Sequence, residues 1–307
     1  MRLVFLGTPQ FAVPTLEAIV DAGHTVEAVF TQPDRPKGRG GTLTASAVKH
    51  AAVRLGLPVF QPERVRRPEV VEELAAMKPD GMVVVGYGQI IPQSIIDIAP
   101  WGITNVHASL LPKYRGAAPI QWAIANGETR TGVTTMRIDA GLDTGDMLMK
   151  WETEIGAEEN ALELGGRLAI AGAELLVQTL RENPRAEAQN NAEATLAPIL
   201  KKEDGLIDWG WTAGKIFNRA RGFLPWPGAY TSFRGERFNL WKCRPGGVQG
   251  NRPGGLLYSG KRLYVGCGEN TSLELVEVQL EGRKRVTASD FLNGVHLSDN
   301  EVLGARN

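Results

Sequence analysis

Along the first half of the chain, short unbroken apolar runs alternate with stretches in which apolar residues recur every three or four positions. Runs of the first kind, at residues 2–6, 25–31, 57–61, 82–86 and 102–108, predict buried strands. Stretches of the second kind, at 11–23, 44–56, 67–77 and 159–183, predict helices, and Gly23 is placed to stop the first of them. The segments at 119–127, 132–138 and 146–155 complete the unit. This alternation predicts an α/β fold, a Rossmann-like parallel sheet covered by helices over residues 1–188, with 82–86 as a central strand.

The periodicity lapses over residues 189–207, which read as a linker. Beyond it Gly and Pro become frequent, 229–235, 236–243, 262–268 and 272–280 read as short strands, and 212–223 as a helix. Residues 208–307 therefore predict a small OB-like β-barrel as a second domain. No internal repeat or low-complexity tract interrupts either part.

A length of 307 residues suits about two domains. The formal charge is zero, so the chain as a whole gives no argument for binding nucleic acid, but its distribution does. Residues 209–307 hold 14 Lys and Arg against 8 Asp and Glu, whereas residues 1–208 hold 20 against 26. A basic module of that kind steers a polyanion toward an acidic partner domain. Cys243 and Cys267 are too few and too far apart for a zinc cluster or a disulfide framework, so they read as buried thiols, with a single disulfide between them as the alternative. No metal site is expected. The N-terminal run lacks a signal-peptide pattern and no segment approaches the ~20 apolar residues of a membrane span. A cytoplasmic chain with no membrane partner is the expectation. After the first strand comes GTPQFA, with Gly7 alone where a dinucleotide-binding loop carries three glycines, so a nicotinamide cofactor is not expected.

Chemistry concentrates at NVHASLLPKYRG, residues 105–116. Alternate residues of a strand share a face, so Asn105 and His107 point into the same space just where Pro112 and Gly116 turn the chain into a loop. Such a pair is often merely structural. A second element, DAGLDTGDM, follows the strand at 132–138 and brings Asp139, Asp143 and Asp146 into a Gly-containing loop. Parallel-sheet proteins gather chemistry at the carboxyl ends of strands; placing both segments there predicts that Asn, His and Asp meet.

NVHASLLPKYRGAAPIQWAI and GLDTGDM resemble the folate-dependent formyltransferases, and within them the branch that acts on initiator methionyl-tRNA. FLGTPQFAVPTLEAI, VFTQPDRPKGRGG, KKEDGLIDW and RGFLPWPGAY extend the resemblance over essentially the whole chain. It implies transfer of the formyl group of 10-formyltetrahydrofolate to the amino group of the methionine carried by that tRNA. It also implies a catalytic trio of Asn105, His107 and Asp143. Asn105 donates to the formyl oxygen, His107 stabilises that oxygen or protonates the departing folate nitrogen, and Asp143 orients His107. Both His107 and Asp143 are candidates for the amine proton.

The resemblance places the folate along 86–92, Ser109 to Pro112 and the 139–146 loop. Gln89, Ile90, Ile91, Ser109, Leu110, Leu111 and Pro112 are the candidate contacts, the isoleucines and leucines as walls of a slot for the flat pterin. The segment TQPDRPKGRGGTLT reads by composition as a loop without helix or strand, and its Arg35, Lys37 and Arg39 as contacts to the tRNA acceptor stem, Arg39 foremost. In the second domain Lys202, Arg219, Arg221 and Lys242 are candidate phosphate contacts. A monomer is expected. Rival readings are formylation of an amino-sugar nucleotide, hydrolysis of the folate donor, and, from another class, a non-catalytic RNA-binding module on the same scaffold.

Overall fold

The computed structural model describes residues 1–37, 42–246, 252–298 and 300–304, with Lys37 described by its backbone alone. The chain forms two compact units. One comprises Met1–Pro119, Arg130–Glu154 and Gly165–Pro198, the other Ile120–Thr129, Ile155–Leu164 and Ile199–Asn307. No helix among the described residues is long and apolar enough to cross a membrane.

In chain order the first unit carries strands β1 (Arg2–Gly7), β2 (Thr25–Phe30), β3 (Arg35–Lys37), β4 (Thr42–Thr44), β5 (Val59–Phe60), β6 (Gly81–Val85), β7 (Ile103–His107), β8 (Arg130–Arg137) and β9 (Met147–Glu154). Its helices are α1 (Val13–Asp21), α2 (Ala47–Arg54), α3 (Pro68–Ala76) and α4 (Gln93–Ile96). The chain then makes α5 (Pro119–Ala125), most of which belongs to the second unit, and the long α6 (Ala161–Glu182). Local rules set the helix ends. Pro14 and Pro68 occupy first-turn positions, Ser46 accepts from the Lys49 N–H at 3.0 Å to cap α2, and Gly23 and Gly56 take left-handed conformations just past α1 and α2.

The main sheet runs β5-β2-β1-β6-β7-β8-β9. Its first five strands are mutually parallel, and β6, fully buried, lies at the centre. The last two are not: β8 runs antiparallel to β7, and β9 antiparallel to β8. The carboxyl end of β8 consequently lies beside the amino end of β7, as the bond from the Ile138 N–H to the Ile103 carbonyl shows. The 139–146 loop therefore does not start from the edge at which His107 ends, contrary to the shared-edge expectation.

Paired residues on neighbouring strands face the same way, so His107 and Thr134, like Asn105 and Met136, share one face of β7–β8. The opposite face packs on α6, where Thr135 and Thr179 hydroxyls bond at 2.8 Å and Gly172 lies over Val106. A Cβ at Gly172 would fall 2.8 Å from Val106 Cγ1, so a side chain there has no room.

Residues 35–37 and 42–44 depart from the loop expectation. Arg35–Lys37 and Thr42–Thr44 pair as a two-stranded antiparallel ribbon. Pro36 is tolerated because a two-stranded ribbon leaves each strand an unpaired edge, and the β-branched Thr42 and Thr44 favour extended backbone.

The second unit holds α7 (Ala213–Gly222), β10 (Ala229–Phe233), β11 (Glu236–Gly246), β12 (Leu256–Ser259), β13 (Arg262–Gly266), β14 (Ser272–Leu280), β15 (Val286–Thr287) and α8 (Ala288–Gly294). Its antiparallel sheet runs β10-β11-β14-β13-β12, with β15 added to β14. The short β12 and β15, and α8, were not foreseen in the sequence. Phe233, Phe238 and Phe291 form an aromatic centre that joins the sheet to α8, with neighbouring ring centroids 5.1–5.9 Å apart. Cys243 and Cys267 are buried free thiols in the same core, and burial pushes both up to about 12.

Two consequences are measurable. Gly172→Val forces α6 away from β7–β8, and chemical denaturation of the full chain should show a loss of about 1–3 kcal/mol, the usual cost of overpacking; unchanged stability would mean the contact yields freely. In the second unit, Arg234 holds Glu301 by two short bonds at 2.7 and 2.9 Å and draws its carboxyl down to about 2. A carboxyl whose folded-state value is depressed contributes stability that is complete above its unfolded value and lost as pH falls through the folded one. Acid should therefore erode stability between about pH 4.5 and about pH 2, and Glu301→Gln should flatten the wild-type slope in that window.

Candidate active site

Asn105 and His107 project from the same face of β7, with Cα atoms about 7 Å apart by strand geometry. Both are nearly buried. The loop that follows is drawn over this face by Thr134, whose hydroxyl donates to the Ser109 carbonyl at 2.7 Å and accepts from the Leu111 N–H at 3.1 Å. The Ser109 hydroxyl closes the loop on itself by donating to the Lys113 carbonyl at 2.6 Å.

His107 Nε2 lies 2.9 Å from the Tyr114 carbonyl. A carbonyl only accepts, so Nε2 carries the hydrogen. The other nitrogen, Nδ1, lies 3.6 Å from Asp143 Oδ2, which also accepts the Gly116 N–H at 2.8 Å. Asp143 thus reaches His107 although its loop leaves the sheet beside residue 104, three positions back along β7 or about 10 Å. The loop covers that distance by turning back over the face. The Arg137 N–H donates to the Asp146 carbonyl at 2.8 Å, and Gly145 passes so close to the Arg137 carbonyl that a Cβ would sit 2.0 Å from it. Asp139 ties the turn by accepting from the Gly141 N–H and the Thr144 hydroxyl.

Asp143 and Tyr114 both adopt left-handed backbone, at φ +52° and +61°. Side-chain-bearing residues hold that conformation only where their surroundings impose it, and such positions gather at functional sites. The Asn105 amide has no hydrogen-bond partner among the described residues, so its two N–H groups are available to an incoming oxygen.

The remaining candidates separate. Ile90 stands 87% exposed, but Ile91 packs in the core beneath β1 and β6, and Leu111 in a cluster with Met136 and Met147. Leu110, half-buried, lies against Gly132, and Pro112 follows a cis peptide bond. The Gln89 amide accepts from the Val65 N–H and donates to the Pro62 carbonyl, joining two loops.

Among the basic candidates, Arg35 is exposed and pairs with Glu63 at 2.7 Å. Arg39 and the Lys37 side chain lie outside the described residues. Lys202 and Lys242 are exposed. Arg219 and Arg221 are turned inward. Arg219 stacks over Trp211 at 4.5 Å and donates to the Asp204 carbonyl, and Arg221 donates to the Gly156 and Glu159 carbonyls. Burial lowers the proton affinity of both guanidinium groups. These hydrogen bonds all lie within the second unit.

Sequence reasoning missed Arg115, Gln189 and Thr195, which tie the two loops together. Polar side chains in an aperiodic segment gave no signal of it.

The family described as formyl transferase matches residues 1–180, and that described as formyl transferase, C-terminal domain, matches residues 199–296. A methionyl-tRNA formyltransferase of Solibacter usitatus is 64% identical over 309 aligned positions, covering 99% of each chain. One from Koribacter versatilis is 58% identical with the same coverage. Among solved structures, an N-formyltransferase from Helicobacter canadensis shares the fold at a TM-score of 0.66 and 18% identity, over 89% of this chain and 98% of that one. A methionyl-tRNA formyltransferase from Clostridium thermocellum does so at 0.55 and 17%, over 79% and 92%. With two successive domain families matched and full-length identity of this order, the chain belongs to the methionyl-tRNA formyltransferase family.

Proposed function

We propose that Asn105, His107 and Asp143 carry the formyl transfer from 10-formyltetrahydrofolate to the amino group of methionyl initiator tRNA. The observation that carries the reading is the unpartnered Asn105 amide on the face where His107 Nδ1 meets Asp143. In the reaction the methionine nitrogen attacks the formyl carbon, the bond from that carbon to the folate nitrogen breaks, the amine loses a proton and the folate nitrogen gains one. Asn105 donates to the formyl oxygen as it takes up negative charge, a contribution typically worth about 10²–10³ in rate. Since Nε2 is held by Tyr114, His107 exchanges protons through Nδ1, and the His107–Asp143 pair receives the amine proton and supplies the leaving nitrogen.

Folate contacts are assigned to the exposed Ile90, to Leu110 and Pro112, and to the backbone around Ser109. Gln89, Ile91 and Leu111 support that surface from behind. The tRNA is assigned to Arg35, Lys37 and Arg39 on the first unit, and to Lys202 and Lys242 on the second. We retain 1–188 as the catalytic domain, 189–207 as its connection and 208–307 as the tRNA-binding domain. We infer that the enzyme acts as a monomer and in the cytoplasm, where charged tRNA meets the ribosome.

Purified chain incubated with charged initiator tRNA and 10-formyltetrahydrofolate should yield N-formylmethionyl-tRNA, while amino-sugar nucleotides yield no formylated product; the reverse pattern rejects the proposal. His107→Ala and Asn105→Ala should each lower kcat by about 10² or more with tRNA affinity nearly unchanged. Full activity of His107→Ala would remove the imidazole from the proposed trio. Arg39→Ala should reduce kcat/KM for the tRNA and leave KM for the folate donor alone; equal values for both proteins would remove the ribbon from tRNA recognition.

A further inference from the structure

Residues 187–197 cross between the two loops of the site and are clamped at both ends. At one end Glu187 and Met147 exchange backbone hydrogen bonds of 2.8 Å, just beyond the loop that carries Asp143. At the other, the Arg115 N–H donates to the Thr195 carbonyl at 2.9 Å, the Ala197 N–H to the Arg115 carbonyl at 2.7 Å, and the Tyr114 N–H to the Thr195 hydroxyl at 2.9 Å. Between the clamps stands Gln189. Its Nε2 donates to the Asp143 carbonyl at 2.8 Å and the Gly145 carbonyl at 2.7 Å. Its Oε1 accepts from Arg115 Nε at 3.0 Å and Nη2 at 2.8 Å, and Asn191 Oδ1 accepts from the same Nη2 at 2.8 Å.

We infer that Gln189 is a positioning residue for formyl transfer: anchored by the buried guanidinium of Arg115, its amide fixes the backbone of Asp143 and so aims that carboxylate at His107. The inference rests on the assignment of Asp143 as catalytic. Asp143 holds a left-handed conformation, and hydrogen bonds grip it from two directions. Gly116 grips the carboxylate and Gln189 grips the main chain. Removing the second grip takes the Gln189 donor from two carbonyls and leaves the buried guanidinium only Asn191 as a side-chain acceptor, and the loop turns about the first. A displacement of about 1 Å at a reacting group costs on the order of 10² in rate.

The two ends of the side chain do opposite jobs. Arg115 needs an acceptor, and the carbonyls of Asp143 and Gly145 need donors. An amide supplies both. A carboxylate of the same length keeps the bond to Arg115, offers the carbonyls nothing and brings a negative charge toward Asp143.

Steady-state kinetics on the full chain test this with Gln189→Ala, Gln189→Glu, Asp143→Asn and the double variant Gln189→Ala/Asp143→Asn. Both single changes at 189 should lower kcat about 10- to 100-fold, with KM for donor and for tRNA within about threefold of wild type. In the Asp143→Asn background, Gln189→Ala should change kcat by less than about twofold, because a residue that acts through Asp143 has nothing left to aim. The same fold-loss in both backgrounds, or a Gln189→Glu protein with wild-type kcat, overturns the inference. An Asp143→Asn protein with wild-type kcat instead overturns the catalytic assignment on which it rests. Should Gln189→Ala fail to fold, the isosteric Gln189→Glu, alone and combined with Asp143→Asn, carries the same comparison.

Discussion

The Asp143 carboxylate, held between an imidazole and a backbone amide, is the constraint on which the site depends. Three consecutive residues provide the frame for it. The Tyr114 carbonyl accepts from His107, and the Gly116 N–H donates to Asp143, so residues 114–116 present one group of each polarity to the two side chains. That alternation works only while the segment is rigid. Rigidity comes from Arg115, whose backbone is bonded on both sides to residues 195–197 and whose side chain is buried. Gly116, at φ +122°, lets the chain pass where a Cβ would lie 2.6 Å from the Ala197 carbonyl. The orientation of the Asp143 carboxylate thus depends on hydrogen bonds to residues some 80 positions away in sequence.

The parts of this arrangement that follow from short-range rules were legible in the sequence. Asn105 and His107 share a face because a strand alternates with period two, and the parallel half of the sheet follows from buried apolar runs separated by helices. Direction was not legible. Strands 132–138 and 146–155 have compositions compatible with either sense, and only the pairing of His107 with Thr134 reveals that β8 runs backward. The strand-edge argument alone would have put the Asp143 loop on the wrong side; its carboxylate comes to His107 because residues 139–146 turn back over the face. Gln189 lies in a stretch without period, and its function resides wholly in contacts with residues more than 40 positions away. The pairing of 35–37 with 42–44 was missed because Gly and Pro dominate the composition of the surrounding sequence, which hides the extended preference of Thr42 and Thr44.

Charge tells a similar story in the second unit. Counting Lys and Arg gives residues 209–307 a basic excess, yet two of the arginines that contribute to it are used inside. Arg219 lies over Trp211, and Arg221 lies over Phe217 at 5.3 Å while its N–H groups reach carbonyls at 156 and 159. A guanidinium can serve as an apolar slab with a polar rim, and burial of this kind is invisible to a count. Lys242, also within that count, is exposed.

The hydrogen-bond accounting at His107 also narrows the chemistry. If Nε2 were free, the imidazole could act on the substrate from one side and hold Asp143 from the other, as a relay. The Tyr114 carbonyl removes that option, because an acceptor on Nε2 fixes the hydrogen there and leaves Nδ1 as the only nitrogen that can give or take a proton. Nδ1 faces Asp143 across 3.6 Å, longer than a hydrogen bond and short enough for one to form with a small movement of either side chain. Catalytic hydrogen bonds are commonly long before substrate arrives and tighten once it does. The two candidate acceptors for the amine proton therefore converge on one space, bounded by Nδ1 and Oδ2. In the proposed reaction a proton released into it is shared by both groups, and His107 and Asp143 act together as one base.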